Sequence, residues 1–127
     1  MIFVDSSFLI ALLIQTDPLH EKALKVSESI CERKLINNTV LNETLNAFTG
    51  KGGKLGKGLF NTIIEMFDIE YLDDDGYGEA MEIYLSYDSA INYSDCTVLA
   101  TMFKNGVNRI ATFDSDFEKV NGLVLFG

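Results

Sequence analysis

The first five residues, Met1-Ile2-Phe3-Val4-Asp5, constrain this chain more than any other stretch. Four apolar residues in a row, β-branched and aromatic types among them, read as a strand buried on both faces. The run stops on a carboxylate, followed by Ser6-Ser7 and then a helical apolar pattern. Strands buried on both faces belong to open α/β sheets, where ligands bind outside the carboxyl ends of the strands. Asp5 therefore sits where such a fold does chemistry, and the question is which groups join it.

Ser6 or Ser7 is expected to cap a first helix from Phe8 to about Gln15, apolar on nearly every side and hence buried. Asp17-Pro18 reads as an N-cap with proline at the first helical position. The helix it opens carries Leu19, Ala23, Val26 and Ile30 on one stripe and Glu21, Lys25, Glu28 and Glu32 on the other face. Arg33-Lys34-Leu35-Ile36 predicts a short second strand. Asn37-Asn38-Thr39 then supplies turn and cap for a third helix, Val40 to Phe48, striped by Leu41, Leu45 and Phe48. Glu43 falls off that stripe, in a row with Val40 and Ala47, which is an uncomfortable place for a carboxylate.

Gly50 to Gly58 holds five glycines and three lysines in nine residues. It lacks the Lys-Ser/Thr ending and the preceding strand of a nucleotide-binding loop. Turn chemistry reads it as a flexible helix–helix connection. The functional alternative is a mobile basic loop in which Lys51, Lys54 and Lys57 touch phosphates.

A helix from Leu59 to Phe67 leads to a strand at Ile69-Glu70-Tyr71-Leu72. Asp73-Asp74-Asp75-Gly76 lacks the spacing and closing Glu of a calcium loop and reads as a turn with helix-capping acids. The helix from Tyr77 to Tyr87 follows. Asn92-Tyr93-Ser94 opens another, with Ser94 as cap, Asp95 in its first turn and Asn105-Gly106 as its end. Asn108 to Phe113 is a strand that also stops on a carboxylate, Asp114. A short turn over Ser115 to Asn121 leads to the last strand, Leu123 to Phe126.

Helices alternating with short apolar strands predict one α/β domain over residues 1–127, a mostly parallel sheet of four to five strands wrapped by helices on both faces. Right-handed crossovers bring all strand carboxyl ends to one rim, so Asp5 and Asp114 share it. The residues alone suggest that Asp5, Glu43, Asp95 and Asp114 converge there. Two carboxylates about 4 Å apart repel by roughly 4 kcal/mol at an effective dielectric near 20, so such a cluster demands a counter-charge. Oxygen-only ligands without histidine or thiolate select Mg²⁺ or Mn²⁺ over zinc. A divalent ion would activate water and neutralise charge on a phosphodiester. Simpler roles exist for two of these acids: Asp95 suits the dipole at a helix start, and Asp114 with Asp116 could cap a short helix.

Val4-Asp5-Ser6-Ser7, Val40-Leu41-Asn42-Glu43, Tyr93-Ser94-Asp95 and Thr112-Phe113-Asp114-Ser115-Asp116-Phe117, in this order, resemble the acidic motifs of the PIN domain. The resemblance covers essentially the whole chain, and its length with His20-Glu21-Lys22-Ala23 is most similar to the VapC toxins. It implies a PIN-like α/β/α sandwich and a Mg²⁺- or Mn²⁺-dependent endoribonuclease. It maps Asp5, Glu43, Asp95 and Asp114 onto the catalytic quartet, with Asp116 as an additional metal-binding acid beside Asp5, Asp95 and Asp114. Thr112 matches a supporting hydroxyl residue. Ser6 could support the site through a metal-held water, although helix capping accounts for it equally well. The resemblance also implies an RNA substrate, a homodimer, and a VapB-like antitoxin whose tail lies over the acids. The lysine–glycine run matches no family motif.

The net charge of −9 opposes simple binding to a phosphate backbone, unless bound cations, a basic patch or a cationic partner offset it. Cys31 and Cys96 have no metal spacing and are expected to be reduced, as in the cytoplasm. The apolar stretch Phe8 to Ile14 follows Asp5, lacks the basic start and cleavage site of a signal peptide, and is too short to span a bilayer. The lone histidine, His20, is expected to pack or to make a helix-terminal hydrogen bond. Tyr93 could stack on a base or pack in the core.

A phosphoacceptor module would need an acid pair after the first strand and a lysine after a late one. A haloacid-dehalogenase-like phosphatase would need an acid at position 7, which is Ser7. The remaining alternatives are a non-toxin PIN nuclease in RNA processing and an interaction module with an idle site.

Overall fold

The computed structural model describes every residue from Met1 to Gly127. Strands β1 (Ile2–Val4), β2 (Lys34–Asn37), β3 (Asp68–Glu70), β4 (Arg109–Ala111) and β5 (Val124–Phe126) form one sheet in the order β3-β2-β1-β4-β5. Every neighbouring pair is parallel. Six helices connect them: α1 (Ser6–Leu13), α2 (His20–Glu28), α3 (Asn38–Asn46), α4 (Gly53–Met66), α5 (Asp74–Ser86) and α6 (Tyr93–Lys104). A 3-10 turn, Ser115–Lys119, precedes β5.

The chain runs outward from β1 to β3, returns across the sheet to β4, and continues outward to β5. With right-handed crossovers, the connections on these two legs cover opposite faces and complete the α/β/α sandwich. The direction reverses between β1 and β4, whose ends are joined by the Asp5 N–H donating to the Ala111 carbonyl at 2.9 Å. Open sheets bind ligands at such a reversal. All three residues of β1 are buried, and they pack with Phe8, Leu9, Ile36, Leu99, Met102, Ile110 and Phe117 in one core.

Several helix starts differ from the sequence expectation. Neither Ser6 nor Ser7 caps α1: Asp5 is the N-cap position, and both hydroxyls are turned to carboxylates instead. The Asp17 carboxylate accepts the Leu19 N–H at 2.8 Å and shapes a turn, so α2 begins only at His20. Asn92, not Ser94, caps α6, accepting the Asp95 N–H at 2.8 Å. The lysine–glycine run is not a loop throughout, because α4 starts at Gly53. Gly50 and Gly52, at φ +82° and +100°, make the turn, and Leu55, Leu59 and Ile63 continue one helical row through the glycines.

Other local signals hold. Asp73 caps α5 by accepting the Gly76 N–H at 2.9 Å, and Gly106 at φ +65° ends α6. His20 Nδ1–H donates to the Ala11 carbonyl in the last turn of α1 at 2.8 Å. Cys31 and Cys96 are free thiols. No helix is long and apolar enough to cross a membrane.

Asn37, wholly buried at the end of β2, joins three elements. Its carbonyl oxygen accepts the Val40 N–H at 3.0 Å and caps α3, while its amide donates to the Thr97 carbonyl at 3.2 Å and to Thr101 Oγ1 at 3.1 Å. The helices that carry Glu43 and Asp95 are thereby referred to one buried amide.

Candidate active site

Asp5 leaves β1 only 3% exposed. Its Oδ2 accepts from Ser7 Oγ at 2.7 Å and from Thr112 Oγ1 at 2.9 Å. The same hydroxyls accept backbone donors across the gap: Ser7 Oγ takes the Phe113 N–H and Thr112 Oγ1 the Asp114 N–H, each at 3.0 Å. This mesh locks the carboxylate and fixes the backbone that delivers Asp114. Burial nevertheless raises the Asp5 pKa above its ordinary value, with help from the Asp114 charge and against these hydrogen bonds.

Ser7 is the residue that sequence reasoning missed. Its signal was the position two residues beyond a strand-ending Asp, a spacing at which side chains readily meet. Ser6 takes another role, donating to Glu43 Oε1 at 3.1 Å from the start of α1. Glu43 stands on the exposed side of α3, at the open edge of the site. Its pKa is raised by desolvation and then by the charges of Asp5 and Asp114.

Asp95, the third residue of α6, is 7% exposed, and its Oδ2 is buried without a hydrogen-bond partner. Its pKa is pushed up to about 9, first by burial and then by Asp114, Asp5 and Asp116. Asp114 begins the 3-10 turn and its Oδ1 accepts the Asp116 N–H at 2.9 Å. Asp116 is held below the usual carboxylate range, first by the Lys119 ammonium at 2.9 Å.

Carboxylate oxygens of Asp95, Asp114 and Asp116 lie within 4.8 Å of one another. Asp5 and Glu43 border this group rather than enter it. The donor set is oxygen only, and the buried Asp95 Oδ2 lacks a cationic or hydrogen-bonding partner that a hard divalent ion would supply. The residues fit Mg²⁺ or Mn²⁺.

Lys51, Lys54 and Lys57 form a separate basic patch on the α3–α4 turn and the first turns of α4, with no ion pair to the acids. Lys51 lies over the Phe48 ring, and Lys57 borders an open hollow with Leu45, Phe48 and Phe60. Tyr93 packs: its hydroxyl donates to the Tyr77 carbonyl at 2.8 Å, and its ring lies against Tyr77 and Tyr84.

The PIN domain family model matches residues 2–123. Among solved structures, the chain is similar to Mycobacterium tuberculosis VapC20, described as a Sarcin-Ricin loop cleaving toxin, with 25% identity, full coverage of both chains and a TM-score of 0.86. It is also similar to a toxin-antitoxin complex from Klebsiella pneumoniae (17% identity, 98% and 96% coverage, TM-score 0.77). A third likeness is to VapBC2 from Rickettsia felis, bound to a DNA fragment from its promoter (14% identity, 98% and 97% coverage, TM-score 0.69). Comparison with curated protein sequences finds no match.

Proposed function

This chain belongs to the PIN-domain family, and from that premise we propose that it is a metal-dependent endoribonuclease, the toxin of a VapBC-type pair. The observation that carries the reading is the meeting of Asp95, Asp114 and Asp116 at the switch between β1 and β4, with one buried carboxylate oxygen left unpartnered. Mg²⁺ or Mn²⁺ held by these acids, with Asp5 beside them, would supply Lewis-acid activation of water and charge neutralisation at a phosphodiester. The chain's own contributions are distinct. Ser7 and Thr112 orient Asp5, Ser6 orients Glu43 at the open edge, and Asp95 gives up its proton when the site fills. Lys51, Lys54 and Lys57 would contact the RNA backbone away from the cut.

The likeness to VapC20, which spans both whole chains, supports RNA as the substrate class. The likeness to toxin–antitoxin complexes supports a VapB-like antitoxin as partner. The reading is tested by incubating purified protein with structured and single-stranded RNAs in Mg²⁺, in Mn²⁺ and in chelator. Metal-dependent cutting that disappears in Asp5→Asn is expected. No cutting under any condition, together with no metal uptake by titration, would favour the idle interaction module. Cutting of many RNAs with no growth arrest on expression would favour a processing nuclease.

A homodimer through α4 is part of the same proposal. Ile63 is the only buried side chain of this helix, whereas Leu55, Phe60, Ile64 and Met66 are 41–62% exposed. Glycines 56 and 58, inside the helix, each cost about 1 kcal/mol relative to alanine, so α4 gains from a covering surface. Sedimentation is expected to give twice the 14.1 kDa chain mass for the wild type and a folded monomer for Phe60→Glu. A Phe60→Glu dimer would rule out this surface.

A further inference from the structure

We propose that Lys119 is a resident counter-cation of the acid cluster, displaced from Asp116 by the divalent ion and then turned onto a phosphate oxygen of the RNA. The inference rests on the metal-site reading above. Lys119 closes the 3-10 turn, and its Nζ donates to Asp116 Oδ1 at 2.9 Å and to the Ala90 carbonyl at 2.8 Å. The other ion pairs join Met1 and Arg109 to Glu32, Arg33 to Asp68, and Lys104 to Glu70. Lys119 is thus the one cation paired with the cluster, in a chain of 19 acids and 10 lysines and arginines.

Its second contact is informative. Ala90 follows Asp88 and Ser89, consecutive residues at φ +48° and +61°, in the left-handed region that residues other than glycine adopt uncommonly. This loop leads to Asn92, the cap that holds the Asp95 N–H. One ammonium therefore bridges the segment that carries Asp116 and the loop that delivers Asp95. It supplies positive charge at the edge of the group formed by Asp95, Asp114 and Asp116.

A divalent ion on Asp116 and an ammonium on the same carboxylate repel each other. The Lys119 side chain is about half exposed, on a four-carbon stem, so it can leave without disturbing the core. Once released, it stands within one side chain's reach of the site, beside the phosphodiester to be cut. At Asp116 the exchange breaks no covalent bond.

The test is Mn²⁺ binding by electron paramagnetic resonance to the full metal-free chain, with Lys119→Met and Lys119→Arg. Removal of a competing surface charge is expected to tighten Mn²⁺ about two- to fivefold in Lys119→Met, with Lys119→Arg near the wild type. RNA affinity is read by fluorescence anisotropy in an Asp5→Asn background, which leaves Asp95, Asp114 and Asp116 intact. There, with Mn²⁺ held at one saturating concentration, Lys119→Met should weaken binding of a single-stranded RNA and lower the slope of log affinity against log salt by about 0.7, one phosphate contact. Lys119→Arg should restore both. Weaker Mn²⁺ binding in Lys119→Met would make the residue a structural clamp, and an unchanged salt slope would remove it from the RNA; either result overturns the proposal. Absence of Mn²⁺ binding by the wild type would overturn the metal-site reading itself.

Discussion

Asp95→Asn is expected to abolish metal-dependent cleavage while making the metal-free protein more stable. Both effects come from the same carboxylate. Its pKa stands at about 9 in the fold, whereas an unfolded aspartate titrates near 3.8. Between those values the folded state holds a proton that the unfolded state has lost, so stability falls as pH rises across that window. An amide keeps the shape and escapes this cost. In chelator at pH 7 the variant's Tm should exceed the wild type's by roughly 5–10 °C. Thermal scans should show the gap widening from pH 5 to pH 8 and closing near pH 4. The same substitution removes a charged ligand from the Asp95, Asp114 and Asp116 group, and cleavage should fall by about a hundredfold or more. A variant that is no more stable than the wild type at any pH would contradict the burial and repulsion described for Asp95.

Metal uptake by the wild type should be steeply pH-dependent. An ion can bind the Asp95 carboxylate only after its proton leaves, so affinity should climb by up to about tenfold per pH unit below about pH 9 and level off above. Near pH 7, calorimetric titration with Mn²⁺ in two buffers of different ionisation enthalpy should report about one proton released per ion. Saturating Mn²⁺ should raise Tm, and more so at pH 8 than at pH 6, because the same ion concentration then exceeds its dissociation constant further. Affinity that stays flat from pH 6 to 9 would mean that the ion is held without Asp95. Asp116 does not add to this slope, since the Lys119 ammonium already favours its ionised form. The mesh around Asp5 works in that direction too, but there burial prevails.

The two results describe one design. Repulsion among Asp5, Asp95 and Asp114 costs stability in the metal-free chain, and a divalent ion held there would relieve it. The hydroxyls of Ser7 and Thr112 prevent the buried Asp5 from turning away to reduce that repulsion.

The parallel sheet, its five strands and the acids at the ends of β1 and β4 were legible because they follow from nearest-neighbour chemistry. An apolar run stopped by a carboxylate announces a buried strand end wherever it occurs, and Asp73 or Gly106 announces a helix boundary through its own backbone. The start of α4 departs from the sequence expectation for a related reason: glycine content dominates the local signal, although the row Leu55, Leu59, Ile63 continues through it.

Other features depend on partners far along the chain. Ser7 meets Thr112 and Phe113 more than a hundred residues away, Asn37 meets Thr97 and Thr101, and Lys119 meets Ala90. None of these residues differs locally from an ordinary cap or surface group. By itself the sequence determined the α/β class, the rim on which the acids gather and the oxygen-only donor set found there, since strand ends and donor types are local properties. Only the tertiary structure decided that Asp95, Asp114 and Asp116 share one point while Asp5 is held beside them. That choice depends on side-chain geometry across the switch between β1 and β4, to which residue spacing is blind.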